Sequence, residues 1–177
     1  LDQVRVQTPA STAAAVEAMK ALIADCSGHD VPPISENLIY PLRDEAPNGW
    51  IVTGYPWYGI QTPEHKSFFI AYHKKFNDYP RLGSVVGYSM IKSAAAGLKK
   101  AGSADTAKMI AAFKGLHVDT PFGKITYRPE DHQSTMGAFV GRTANEKGKG
   151  VMVDYVYLDG AKFQPPAAEI KKLRGAP

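Results

Sequence analysis

The sequence predicts an α/β fold, in which short β-strands alternate with longer α-helices. Three observations support this class. Residues 4–7 alternate apolar and polar side chains like a strand and precede a helical pattern. Residues 50–53 form an apolar run before a second helical pattern, and after Thr120 the pattern becomes mainly strand-like. Strands joined through long helices pair in parallel, so we expect mainly parallel pairing before residue 54 and some antiparallel pairs after Thr120.

The first β-α unit ends in a loop that is well placed to bind a ligand. A helix is expected between a cap at Ser11 or Thr12 and a stop at Ser27-Gly28. A second short strand follows at Ile34-Ser35, and Glu36 and Asn37 lie in the loop at its carboxyl end. Open α/β sheets bind ligands at such strand ends. Glu36 is equally compatible with an ordinary exposed residue of a loop.

The next segment combines a broken strand with an aromatic loop. Gly54 and Pro56 interrupt the apolar run of residues 50–53, and four aromatic residues lie within the nine positions 50–58. Thr62-Pro63-Glu64 is a strong helix start, because Thr can cap, Pro tolerates the first helical position and Glu favours the positive end of the dipole. The predicted helix runs to about Phe76 and buries Phe68, Phe69, Tyr72 and Phe76.

Two further helices and several strands complete the prediction. A helix over about residues 84–100 is expected to align apolar residues on one face and to stop at Gly102. That face comprises Tyr88, Ile91, Ala95 and Leu98. A shorter helix follows over residues 106–113, capped by Ser103 or Asp105. The remaining pattern predicts a hairpin over residues 120–127, strands at 138–141 and 151–158, and a short helical turn over 167–173.

Composition and motifs exclude several classes of function. Cys26 is the single cysteine, so a disulfide within the chain and Cys-based metal sites are excluded. No run approaches the roughly 18 apolar residues of a membrane span. The 21 basic and 17 acidic residues are interleaved, which argues against nucleic-acid binding. The zinc-protease, nucleophile-elbow and phosphate-loop spacings are not found. We therefore expect no enzymatic activity, no catalytic residue, no metal and no cofactor.

Several segments, taken in order, resemble the C-terminal half of the branched-chain amino-acid type of periplasmic binding protein, the solute receptor of an ABC importer. Each segment is weak alone, but six occur in the family's order between about Ile34 and Tyr127. They are residues 34–37 (ISEN), 48–56 (NGWIVTGYP), the helix before Tyr79-Pro80, Gly87-Tyr88, 98–103 (LKKAGS) and 119–127 (DTPFGKITY).

The resemblance implies a fragment of the type I periplasmic-binding-protein clamshell, with mainly parallel sheets flanked by helices. In that family the chain crosses between two lobes three times, and the full receptor is about twice as long as this chain. By analogy residues 1–51 belong to the second lobe, residues 52–135 to the first lobe, and residues 136–177 return to the second. The segment of residues 52–54 is the expected crossing.

The resemblance also implies a site and its partners. In the family the acidic residue at the position of Glu36 holds the ammonium of an amino acid, and Asn37 replaces the usual glycine. Tyr55, Trp57, Tyr58 and Tyr88 are expected to wall a branched-chain or aromatic side chain, although aromatic residues in such a loop are also compatible with an ordinary core. The implied partner is a membrane permease, and the implied location is the periplasm.

Two alternatives remain open from the sequence alone. A ligand-sensing domain of a regulator or membrane receptor can share the fold, and fold analogy does not separate it from a transport receptor. The ligand of a transport receptor could equally be an amide or an aromatic acid. A signal peptide or a lipid-attachment Cys upstream of Leu1 would favour transport, whereas a helix-turn-helix would favour regulation.

Overall fold

The computed structural model describes residues 34–35 and 40–174, and these form two compact units. The first unit contains the described residues up to 54 together with residues 140–155, and the second contains residues 55–139 and 156–174. The chain therefore passes between the units after Gly54, Phe139 and Tyr155. The lobe assignment given above stays a prediction. The units differ from it at the end of the chain, because residues 156–174 group with 55–139.

A four-stranded sheet has the order β1-β2-β5-β6. Its strands are β1 (Ile34–Ser35), β2 (Ile51–Gly54), β5 (Ala138–Asn145) and β6 (Gly150–Leu158). β1 and β2 pair in parallel, with Ile34 opposite Val52, which confirms the predicted pairing of these two strands. The strand predicted at residues 4–7 and the helix after it lie outside the described residues.

The connection between β5 and β6 is a tight hairpin. Glu146 and Lys149 exchange two backbone hydrogen bonds, of 2.9 and 3.1 Å. The two residues between them, Lys147 and Gly148, both have positive φ, at 52° and 74°. A two-residue loop with this geometry matches the twist of antiparallel strands. The turn of residues 146–149 therefore closes an antiparallel pair.

Four helices lie in the second unit, near the positions that the sequence predicts. They are α1 (Pro63–Phe76), α2 (Leu82–Ala101), α3 (Thr106–Phe113) and α4 (Ala167–Arg174). The hydroxyl of Thr62 accepts from the His65 N–H at the start of α1, and Asp105 caps α3 by accepting from the Lys108 N–H. Among the residues that the structure describes, no helix combines the length and the apolar character needed to cross a membrane.

The buried face of α2 differs from the face on which the sequence aligns apolar residues. Val85, Ser89, Ser93 and Gly97 are buried instead, at a spacing of four residues. The four aligned residues, Tyr88, Ile91, Ala95 and Leu98, are all exposed, and Ile91 is 65% exposed. The small residues permit close packing, because a Cβ at Gly97 would lie 2.5 Å from the ring of Phe113 on α3.

The burial of Phe76 is also predicted wrongly. Phe68 is 7% exposed, and Phe69 and Tyr72 are partly buried, but Phe76 is 55% exposed. Phe76 is the last residue of α1, and its ring lies 4.6 Å from that of Tyr72. At this helix end it covers one side of Tyr72 without entering the core.

The hairpin of β3 (His117–Thr120) and β4 (Gly123–Thr126) carries a central aromatic residue of the second unit. The strands are antiparallel, as predicted, with Thr120 opposite Gly123. The Thr120 hydroxyl donates to the Gly123 carbonyl at 2.7 Å and accepts from the Phe122 N–H at 3.2 Å. This turn holds Phe122 in the main apolar cluster, whose other buried members are Tyr55, Ile60, Phe68 and Val85.

Candidate functional site

The aromatic loop that follows β2 begins with a fully buried tyrosine. Tyr55 is 0% exposed, and its hydroxyl forms a 2.5 Å hydrogen bond with Nε2 of His65. His65, itself 2% exposed, also forms a hydrogen bond with the backbone of Ile60. The loop is thereby tied to the first turns of α1. Tyr55 acts here as a core residue, with its one polar atom satisfied internally.

Burial lowers the pKa of His65 below its ordinary value of 6.5, although the Ile60 backbone partly opposes this effect. His65 is therefore neutral at physiological pH. A neutral imidazole has one donor and one acceptor nitrogen, which matches the two partners, the Ile60 backbone and the Tyr55 hydroxyl.

We expect acidification below about pH 6.5 to destabilise the protein through His65. Its pKa is lower in the folded chain, so the unfolded chain binds more protons as the pH falls through 6.5 and below. The free energy of unfolding then decreases with falling pH. Urea denaturation at a series of pH values measures this dependence. His65→Gln should flatten it, whereas His73→Gln at an exposed position should leave it unchanged. An unaltered pH profile in His65→Gln contradicts the expectation.

Trp57 is the centre of a stack of aromatic rings. Its ring lies parallel to that of Phe69, at 5.2 Å and 8°, and nearly parallel to that of Tyr79, at 5.2 Å and 20°. Tyr58 meets the indole edge-on at 5.5 Å. The indole N–H is buried and has no hydrogen-bond partner among the described residues. The stack fixes the orientation of the indole.

A pocket of about 210 Å³ lies between this loop and α1. Its walls combine aromatic and aliphatic surface with three polar side chains, those of Gln61, His65 and Lys66. The remaining lining residues are Trp57, Tyr58, Ile60, Phe69 and Ile70. Apolar walls with few polar groups are typical of sites for small organic ligands. This volume suits a ligand the size of a single substituted ring.

The structure brings together only part of the predicted site. Trp57 and Tyr58 line the pocket, and Tyr55 lies beneath it in the core. Tyr88 lies on α2, 44% exposed, with its ring 4.8 Å from Phe68 instead of in the pocket. Glu36 and Asn37 lie outside the described residues. A ligand-binding role for any of these six residues stays a prediction.

Six lining residues were not predicted from the sequence: Ile60, Gln61, His65, Lys66, Phe69 and Ile70. His65 and Phe69 are spaced by four, so they lie along one face at the start of α1, and Gln61 directly precedes the helix cap. That spacing, directly after an aromatic loop, is the signal that could have identified them. In the described part of the chain, no three His, Cys, Asp or Glu side chains form a group that could hold a metal ion.

Comparison with known proteins identifies the family. A family model described as periplasmic binding protein matches residues 6–150. The chain belongs to the periplasmic binding protein family. The sequence predicts a fragment of the clamshell fold. The helices and sheets of this chain and the folds of its structural neighbours are consistent with that prediction. No curated protein sequence matches the chain.

Solved structures of this family are similar to the chain. An ABC-type branched-chain amino acid transporter protein from Rhodopseudomonas palustris CGA009 is 26% identical, with a TM-score of 0.61, over 70% of this chain and 34% of that one. A solute-binding protein of an ABC transporter from R. palustris BisB5, in complex with 3,4-dihydroxybenzoic acid, is 26% identical, with a TM-score of 0.59 over 71% and 34%.

A third structure extends the likeness in fold. The amino acid ABC transporter substrate-binding protein of Pseudomonas fluorescens Pf-5 has a TM-score of 0.61 at 16% identity, covering 89% of this chain and 43% of that one. The 177-residue chain therefore spans about a third of the length of the first two proteins and less than half of the length of the third.

Proposed function

We propose that this chain is part of the extracytoplasmic solute-binding component of an ABC importer, which binds a small solute and releases it unchanged. The observation that carries the proposal is the family match over residues 6–150. Structures of ABC-transporter solute-binding proteins with TM-scores near 0.6 support it. The partner would be a membrane permease and the location the periplasm.

The chain would supply one part of a longer receptor, corresponding to its C-terminal half. The coverage of 34% of two similar chains supports a part of a longer receptor, and the C-terminal position rests on the resemblance of the sequence. Lobe closure around the ligand would then occur at crossings such as the one after Gly54, where the chain passes from one compact unit to the other.

We infer an amino acid with a branched or aromatic side chain as the ligand. Glu36 would bind its ammonium, and Trp57 and Tyr58, which line the pocket, would contact its side chain. An ammonium held by a shielded carboxylate gains about 1.5–3 kcal/mol.

The second candidate is an aromatic acid. The pocket beside Trp57, with its Lys66 ammonium, favours this ligand, and one similar structure holds 3,4-dihydroxybenzoic acid.

Calorimetry of the complete receptor with leucine, phenylalanine and 4-hydroxybenzoate tests these roles. Glu36→Gln is expected to weaken amino-acid binding about 10- to 150-fold, the equivalent of 1.5–3 kcal/mol. Glu64→Gln, on the exposed first turn of α1, is the matched control and should bind as the wild type does. Amino-acid binding that is unchanged in Glu36→Gln would refute the ammonium role. Binding of 4-hydroxybenzoate alone would replace the amino acid by an aromatic acid.

The alternative class is a ligand-sensing domain of a regulator or receptor with the same fold. The discriminating measurement is transport. Deleting the gene should abolish uptake of the ligand that calorimetry identifies, and a plasmid copy should restore uptake. Normal uptake together with altered transcription would favour the sensing domain.

A further inference from the structure

Helix α2 has too little polar surface for a helix with one exposed side. Its 20 residues contain three charged side chains, those of Lys92, Lys99 and Lys100. The other residues are apolar or small. A helix that is apolar around most of its circumference is normally buried on more than one side. The composition of α2 therefore indicates two contact faces.

The described structure occupies one of these faces. Val85, Ser89, Ser93 and Gly97 are buried at a spacing of four residues. The absence of a side chain at Gly97 accommodates the ring of Phe113 on α3. This contact accounts for the glycine at position 97, and Val85 packs in the main apolar cluster, but Met90, Ile91 and Leu98 remain exposed.

The second face is exposed. We call it the α2 apolar face and define it by Met90, Ile91, Ala94 and Leu98, whose spacings of one, three and four residues bring them to one side of the helix. Met90 is 61% exposed, Ile91 65% and Leu98 46%. No charged residue lies among these positions.

Exposure of this kind has a physical cost that a partner would remove. Full burial of a single Leu, Ile or Met side chain contributes about 1.5–3 kcal/mol. Contiguous apolar patches on a protein surface mark places where another surface packs. The absence of charge on the α2 apolar face favours an equally apolar occupant over a polar or acidic partner.

The lengths of the similar structures indicate the occupant. Two solved chains of like fold are only 34% covered by this chain, so proteins of that length contain much more polypeptide than is present here. We propose that the α2 apolar face is an internal packing surface, covered in the complete protein by an apolar layer of the same polypeptide from outside residues 1–177. Neither a second copy nor the permease is then needed to cover it.

Thiol labelling in a Cys26→Ser background tests the proposal. Ile91→Cys and Ala94→Cys place a thiol on the face, and Ala94→Cys changes the packing very little. Lys99→Cys places a thiol at an exposed position of the same helix that is outside the face. Iodoacetamide alkylation is followed by mass spectrometry in the 177-residue chain and in the complete gene product, with sedimentation to establish the oligomeric state.

In the 177-residue chain we expect the three thiols to react within about threefold of one another. In the complete monomer the two face positions should react at least about tenfold more slowly than position 99, because a covered thiol reacts only through local opening. Equal rates in the complete monomer would overturn the proposal. Protection already present in the 177-residue chain, or protection that appears only in a dimer, would also overturn it.

Discussion

Replacing Phe122 by alanine is expected to lower the free energy of unfolding by about 3–5 kcal/mol, the usual cost of removing a large buried aromatic side chain. Phe122 is 7% exposed and lies at the tip of the β3–β4 hairpin. Its ring centroid is 5.5 Å from that of Tyr55, 5.2 Å from that of Phe139 and 6.1 Å from that of Tyr157. The substitution removes these three ring contacts and leaves a cavity.

Urea denaturation followed by tryptophan fluorescence measures this effect, because Trp57 packs against the same cluster. The melting temperature should fall by about 2–4 °C for each kcal/mol in a chain of this size. Phe163→Ala is the matched control, since Phe163 is 68% exposed. It should change stability by no more than about 0.5 kcal/mol. Equal stabilities of the two variants would show that Phe122 is not central to the core.

Replacing Gly137 by alanine is expected to cost about 3 kcal/mol, at the upper end of the range for overpacked sites. A Cβ at Gly137 would overlap the carbonyl oxygen of Leu158 and lie 2.9 Å from the Gly160 nitrogen. Those atoms are backbone and cannot rotate away. The same movement would disturb the 2.8 Å hydrogen bond from the Gly137 N–H to the Tyr157 hydroxyl.

Gly87→Ala is the control for Gly137→Ala, with the opposite expected sign. A Cβ at Gly87, inside α2, meets nothing within 4 Å. Alanine there should stabilise the protein by about 0.5–1 kcal/mol, because glycine is a poor helix former. Thermal denaturation of both variants compares them directly. A Gly137→Ala variant as stable as the wild type would contradict the close approach of the two backbone segments.

Helix ends and hairpins could be predicted because local chemistry determines them. Thr62, Pro63 and Asn77 set the ends of α1 through a side-chain cap, a tolerated proline and a left-handed residue with φ of 50°. Gly102, with φ of 61°, ends α2. These signals act within a few residues, so they are readable without knowledge of the tertiary contacts.

The buried face of α2 could not be predicted, because the choice depends on what packs against the helix. Apolar or small residues of α2 occupy most of its circumference. Periodicity alone therefore favours the face with the larger side chains, such as Ile91 and Leu98. The described contact with α3 selects Gly97 instead, through the fit of Phe113. Size complementarity between two helices is not visible in the sequence of one.

The pocket was predicted only in part for a related reason. The aromatic cluster at Trp57 and Tyr58 is evident in the sequence, but its partner surface on α1 is not. His65 has little sequence signal, since its importance arises from burial and from the hydroxyl of Tyr55. A pairing of this type emerges only when the loop and the helix are placed together.

The order of strands in the four-stranded sheet has a consequence for biosynthesis. β2 adjoins β5, and the Trp50 N–H donates to the hydroxyl of Thr143, 93 residues later in the chain. At synthesis rates of about 5–20 residues per second, β2 leaves the ribosome roughly 5–20 s before its neighbour exists. During this interval the backbone N–H and C=O groups of β2 that face β5 are unpaired, and an unpaired strand edge can pair with another chain. Chaperone protection of the nascent chain should therefore matter most between the synthesis of these two strands.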